Sequence, residues 1–313
     1  MLRQLFVFLS ERRALQEMVT RNGLVRRAAL RFVAGETLEE ACAVAAGLNR
    51  RGIQVTLDLL GERVKNPEQT RAAAEQYRTI LAEISRQRLD ADIAIKLTQL
   101  GLDLSEDLVW ENLTAICGES RTRANFVWID MEASRYVEPT LALYRRLREE
   151  GYGPDDVGVA IQAYLYRSAR DVEDLIALRA RVRLVKGAYA EPATVAYPRK
   201  ADVDRAYVRL AERLLQDGYR PAIATHDDRI LAHTKAFARR QGIPADRFEF
   251  QMLYGVRRDL QIQLVEEGYR LRVYVPFGTQ WYPYFMRRLG ERPANVGFLL
   301  RSLLREGFHR TPA

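Results

Sequence analysis

Beginning at Ile53, short apolar runs rich in β-branched and aromatic residues alternate with longer amphipathic stretches in helical period. The runs are IQVTLDL (53–59), DIAIKLT (92–98), NFVWIDM (125–131), VGVAIQAY (157–164), RVRLVKGAY (181–189), PAIATHD (221–227), RFEFQMLYG (247–255) and RLRVYVPFG (270–278). Runs of this kind predict buried strands. The segments between them, such as NPEQTRAAAEQYRTILAEISRQ and VEPTLALYRRLREEG, are built from good helix formers. Several end at a glycine before the next strand: Gly151, Gly218, Gly242 and Gly268. Eight strand–helix units spaced about 30 residues apart predict an α/β fold with a parallel sheet closed into a (β/α)8 barrel. The alternative is an open doubly wound sheet. It is disfavoured because no GxGxxG turn follows any run and no P-loop appears.

Residues 1–51 read as helices. Thr37 followed by Glu40 forms a capping box ahead of LEEACAVAAGLNRR, which stops at Gly52. The division expected is a helical segment, 1–52, packed on a catalytic barrel, 53–313, as one structural domain. The N-terminal apolar run reaches only from Leu5 to Leu9, too short to span a membrane, and no small-residue cleavage site follows it, so no signal peptide is expected. A cytoplasmic protein is expected.

The chain has 313 residues, 49 basic and 41 acidic, and only five of the basic ones are lysines. The arginines are mixed with Asp and Glu along helix-like stretches and form no block of like charge. A nucleic-acid-binding module therefore rests on net charge alone, and no nucleic-acid partner is expected. Cys42 and Cys117 are too few for a disulfide framework, which fits a reducing compartment. With three histidines and no HExxH or comparable set, no metal site is expected.

In such a barrel the active site lies at the C-terminal ends of the strands. Each run delivers a polar residue near its exit: Asp58, Lys96, Asp130, Gln162, Lys186, Thr225 with His226, Gln251 and Tyr274. Arg183 adds a further cation, and Arg287 and Arg288 follow on the last helix. Cations over a low-dielectric cavity call for an anionic ligand, a carboxylate or a phosphate. On that last helix Tyr284, Arg287, Arg288 and Glu291 share one face at i, i+3, i+4 and i+7, a way to hold a zwitterion. The same spacing also describes an exposed face laced with ion pairs. Lys186-Gly187-Ala188 after a strand lets a flat ring or phosphate approach the backbone closely. A rival reading makes Lys96 or Lys186 the nucleophile of a Schiff-base lyase.

Several motifs, in order, carry a family resemblance: KLTQLGLDLS (96–105), Asp130-Met131-Glu132, IQAYLYRS (161–168), RLVKGAY (183–189), ATHD (224–227), FEFQMLYG (248–255) and YxxRRxxER (284–292). Together they resemble the flavin-dependent proline dehydrogenases, from about residue 31 to the C-terminal helix. The resemblance implies a distorted (β/α)8 TIM barrel with extra N-terminal helices. It implies oxidation of L-proline to 1-pyrroline-5-carboxylate, with FAD taking the hydride and a membrane quinone the electrons. Peripheral contact with the membrane is left open. In bifunctional relatives an aldehyde dehydrogenase domain follows the barrel. Here the chain ends soon after the last barrel helix, so the stand-alone form is expected, with a separate 1-pyrroline-5-carboxylate dehydrogenase as a partner.

Carried onto this sequence, the resemblance assigns Lys96, Arg287 and Arg288 to the proline carboxylate, and Tyr274, Tyr284 and Leu253 to its ring. Asp130 orients Lys96 and the catalytic charges, and Arg183 lies by the reacting edge of the flavin. Met131, Gln162, Lys186, Gly187, Ala188, Thr225 and His226 line the flavin and its phosphates, with Glu291 touching cofactor or substrate. Glu62 and Arg288 are expected to close as a gate over bound substrate.

Overall fold

The computed structural model describes residues 30–61 and 64–291, with residues 287–291 described by their backbone alone. Among the described residues, eight strands form one closed parallel barrel in sequence order. They are β1 Gln54–Leu59, β2 Ala91–Ile95, β3 Val127–Ile129, β4 Val157–Gln162, β5 Arg181–Val185, β6 Ala222–Ala224, β7 Glu249–Leu253 and β8 Leu271–Phe277. Each lies within one of the eight runs legible in the sequence, apart from Ala91, one residue before its run. The helices are α1 Leu38–Asn49, α2 Pro67–Gln87, α3 Glu106–Thr122, α4 Val137–Glu149, α5 Ser168–Ala177, α6 Lys200–Asp217, α7 Asp228–Arg240, α8 Arg258–Glu266 and α9 Trp281–Glu291.

α1 starts at the expected capping box: Glu40 N–H donates to Thr37 Oγ1, and Thr37 N–H donates to Glu40 Oε2. Residues 30–36, read as helix from the sequence, are instead turns and bends. Gly35 has φ of +127°, and a Cβ there would lie 2.3 Å from the Glu40 carboxylate, so the helix cannot extend backward through it. The turn is tied to the barrel: Ala34 N–H donates to Pro276 O at 2.8 Å, and Gly278 N–H to Gly35 O at 3.0 Å. Of the predicted helix-ending glycines, Gly151, Gly242 and Gly268 are left-handed, at φ of +83°, +64° and +82°. Gly218 is not: its φ is −75°, and Arg220 takes the left-handed position at +43°. Gly218 is small for another reason, since a Cβ would sit 2.5 Å from Leu214 O.

Alternation along each strand sends one set of side chains outward under the helices and the other into the barrel. The outward set, including Val55, Leu57, Ile93, Ile95, Val159 and Leu184, is buried in the main core against residues such as Tyr77, Tyr144 and Tyr207. Each such aliphatic side chain contributes roughly 1.5–3 kcal/mol on burial. The inward set differs. Ala94, Phe126, Trp128 and Ala222, with Tyr274 against them, form a separate small cluster inside the barrel. Charged residues flank it: Asp92, Arg181, Glu249 and Arg272 towards the strand starts, and Asp58, Lys96, Asp130 and Arg183 towards the exits. Among the described residues no helix is long and apolar enough to cross a membrane.

Candidate active site

At the strand exits four of the predicted residues meet in one hydrogen-bonded cluster, with Asp130 at its centre. Its Oδ1 accepts from Arg183 Nη1 at 2.8 Å, and its Oδ2 accepts from Tyr274 Oη at 2.6 Å and from Lys96 Nζ at 3.3 Å. Lys96 follows β2, Asp130 follows β3, Arg183 lies in β5 and Tyr274 in β8, so closure of the barrel is what assembles them. Lys96 Nζ makes its shortest contact with Asp58 Oδ1, at 2.6 Å. Asp58 was legible as a strand-exit acid, but its pairing with Lys96 was not. The two positions are 38 residues apart in sequence.

This cluster is nearly dry. Arg183 is 3% exposed and Asp58 1%. Burial works against the charge on Lys96, but the Asp58 and Asp130 carboxylates outweigh it and hold the ammonium well above the ordinary lysine value. Burial likewise pushes the Tyr274 phenol well above its ordinary value, with Asp130 and Asp58 adding to the effect, so it stays a neutral donor. Two carboxylates, two cations and one hydroxyl thus meet under the barrel mouth.

Beside this cluster, among the described residues, lie buried polar atoms with no hydrogen-bond partner: Arg183 Nε and Nη2, and Gln162 Oε1. The Gln162 amide nitrogen donates to Met131 O at 3.2 Å, linking β4 to the exit of β3. Two residues past the end of β5, Gly187 has φ of +110°, and a Cβ would come within 2.2 Å of the Tyr164 ring. The backbone there is packed so closely that only glycine fits. Orphaned donors and an acceptor at the strand exits, with a backbone bare of side chain at Gly187, fit a flat, polar-edged ring such as an isoalloxazine.

The other predicted residues fall into smaller groups. Lys186 donates to Asp204 Oδ1 at 2.5 Å and to Asp227 Oδ2 at 3.0 Å. Lys200 also pairs with Asp204. Asp204 and Asp227 belong to a cleft of about 730 Å3 between the N-terminal halves of α6 and α7, lined also by Arg205, Arg209, Arg229 and His233. Asp204, on α6, went unseen in the sequence because nothing local marks its pairing with a strand-exit lysine. Ala188 lies exposed on the following loop. Thr225 is buried, and its Oγ1 accepts from Asp227 N–H at 3.2 Å. His226 Nε2 accepts from Leu253 N–H at 2.8 Å, which ties the exits of β6 and β7 and places the ring proton, in the neutral form, on Nδ1. Tyr284 is buried on α9. Glu62 lies outside the described residues, as do the side chains of Arg287, Arg288 and Glu291.

Comparison with known proteins bears on the family. The family profile described as "Proline dehydrogenase" matches residues 41–301. Proline dehydrogenase 1 of Bacillus subtilis (strain 168) is 44% identical over 306 residues, covering 98% of this chain and 100% of that protein. Proline dehydrogenase of Deinococcus radiodurans is 44% identical over 278 residues, covering 88% of this chain and 89% of that protein. Among solved structures, proline utilization A (PutA) from Bdellovibrio bacteriovorus, inactivated by N-propargylglycine, superposes with a TM-score of 0.82 at 26% identity. It covers 95% of this chain, which spans 37% of that one. With a profile match over most of its length and relatives this similar from end to end, the chain belongs to the proline dehydrogenase family.

Proposed function

We propose that this protein oxidises L-proline to 1-pyrroline-5-carboxylate with bound FAD as the hydride acceptor, and that a quinone receives the electrons. The observation that carries the reading is Arg183, a buried guanidinium that spends one nitrogen on Asp130 and keeps two without a hydrogen-bond partner. A charge so placed suits an electron-rich ring.

The residues divide the work. Lys96, kept as an ammonium by Asp58 and Asp130, offers a charge to the substrate carboxylate, and Arg287 and Arg288 add guanidinium forks from α9. Tyr274, Tyr284 and Leu253 wall the ring. Asp130 fixes Lys96, Arg183 and Tyr274 relative to one another, so the donors need no rearrangement during reaction. Lys186 and the cleft between α6 and α7 take the phosphate-bearing part of the cofactor, with Met131, Gly187, Ala188, Thr225, His226 and Glu291 along it. Glu62 and Arg288 close over the substrate and exclude water. FAD, when bound, supplies the acceptor for the hydride leaving the carbon next to the ring nitrogen. Orientation then accounts for much of the barrier reduction.

The Schiff-base alternative is weakened by the same geometry. A nucleophilic lysine needs its amine neutral near pH 7. Lys96 is held the other way, and the Lys186 amine is engaged in hydrogen bonds to Asp204 and Asp227.

By this reading the protein works in the cytoplasm, meets its quinone at the membrane surface, and passes its product to a separate dehydrogenase. The test is product identification. Purified protein, L-proline and a soluble quinone should give a cyclic imine two hydrogens lighter than proline, with the quinone reduced in equal amount. No imine, or borohydride trapping of a carbonyl substrate on Lys96 or Lys186, would overturn it.

A further inference from the structure

Below Asp130 the barrel is filled by one stack of rings and charges that the chemistry above does not use. Trp128 is fully buried on β3, two residues before Asp130, so both point inward. The Arg183 guanidinium carbon lies 4.5 Å from the Trp128 ring centre and 5.2 Å from that of Tyr274. Arg181, the next inward residue down β5, lies 5.2 Å from Trp128.

The indole is itself anchored. Its Nε1–H donates to Asp92 Oδ2 at 3.1 Å, and Asp92 pairs with Arg272 at 3.0 Å. Arg272 and Arg181 each reach Glu249 at 3.0 Å. Space for the ring is made by the smallest residues of neighbouring strands. Trp128 aligns with Ala94 on one side and Gly158 on the other. A Cβ at Gly158 would lie 2.9 Å from Trp128 Cζ3 and 2.6 Å from Arg181 O.

The consequence concerns Arg183. Its single described hydrogen bond, to Asp130, leaves the guanidinium free to pivot about Nη1. The rings it lies against, Trp128 and Tyr274, restrict that pivot through the attraction of a cation for an aromatic face. Tyr274 already has a place in the substrate pocket. Trp128 has none, and it touches neither Asp130 nor Lys96 by a hydrogen bond.

We propose that Trp128, held by Asp92, is a positioning residue: it sets the plane and height of the Arg183 guanidinium and so tunes the charge that reduced FAD meets. This rests on the functional reading above. If wild-type protein fails to bind FAD, or proline fails to bleach it, that reading falls before any variant is made.

The test uses FAD-loaded Trp128→Leu, Trp128→Phe and Asp92→Asn proteins. The readouts are the midpoint potential of the bound flavin by dye equilibration, kcat and KM for L-proline, and Tm. Trp128→Leu is expected to disfavour the reduced flavin about tenfold, a shift of roughly 30 mV to more negative potential for a two-electron couple. Its kcat should fall while KM stays within about twofold. Trp128→Phe keeps a ring against Arg183 and should recover most of the potential. Asp92→Asn, which loosens the indole, should shift the potential in the same direction by less. An unchanged potential in Trp128→Leu, with only Tm lowered, would make Trp128 a structural plug and overturn the proposal. If Trp128→Leu does not fold, Asp92→Asn decides alone: a negative shift supports the proposal and an unmoved potential overturns it.

Discussion

Tyr274 Oη donates to Asp130 Oδ2 at 2.6 Å, joining the last strand of the barrel to the exit of the third. The same carboxylate holds Arg183 through its other oxygen and Lys96 beside Tyr274. One side chain thus sets the relative positions of the hydroxyl, the guanidinium and the ammonium that face the mouth. Asp130 is the part of the site on which the rest depends.

Replacing Asp130 with Ala should therefore do more than remove one contact. Two buried cations and a phenol lose their common acceptor, a change worth about 3–5 kcal/mol where such a pair is broken. Steady-state kinetics should show kcat/KM down by roughly 10²- to 10³-fold. A loss under threefold, with flavin content intact, would remove Asp130 from this role.

Lys96→Met should raise KM for L-proline by on the order of 10- to 100-fold, the worth of one charge-assisted contact. It also leaves Asp58 buried without its cation, and burial already pushes that carboxyl up. An acid whose folded pKa is raised above its unfolded value of ~3.9 favours folding least when ionised. Relative to wild type, the variant should be least destabilised near pH 4 and progressively more so towards pH 7. Urea titrations at several pH values would show it, and a constant difference would contradict it.

Glu249 gives the opposite sign. It is fully buried, and although burial opposes ionisation, Arg272 and Arg181 bring its pKa down to about 2. Against an unfolded value of ~4.3 this contributes about 3 kcal/mol above pH 5, lost as the pH falls through 4 towards 2. Glu249→Gln should flatten that part of the stability curve and cost about 3–5 kcal/mol at pH 7, because Arg181 loses its carboxylate. Chemical denaturation of both proteins between pH 2 and 7 checks both points.

Gly187→Ala should cost well over ~1 kcal/mol, since φ of +110° suits only glycine and the new methyl would meet the Tyr164 ring. The expected readout is loss of bound FAD at a pH where the barrel remains folded by circular dichroism. Full flavin content would show that this turn does not line the cofactor.

Most of the fold was legible because strand period and helix period alternate so regularly from Ile53 onward. The eight runs contain all eight strands, save the leading Ala91, and the capping box at Thr37 and Glu40 starts α1 where expected. The turn at 30–36 misread because helix propensity says nothing of Gly35 lying beneath the Glu40 carboxylate. The cluster at the strand exits was legible as a ring of polar residues, but not as a set of pairings. Asp58 with Lys96, and Asp204 with Lys186, depend on barrel closure or on a helix folding back, which no local pattern encodes. The interior stack did leave a trace. Arg181 and Arg183, Glu249 and Gln251, and Arg272 and Tyr274 repeat at i, i+2, a polar inward face within runs that otherwise read as hydrophobic.

The measurement that bears most directly on the central claim is the anaerobic absorbance spectrum of the purified protein before and after adding L-proline. The account predicts oxidised-flavin bands that bleach on addition and return with quinone. Flavin bands that proline leaves unchanged, or a colourless protein that FAD cannot reconstitute, would contradict it.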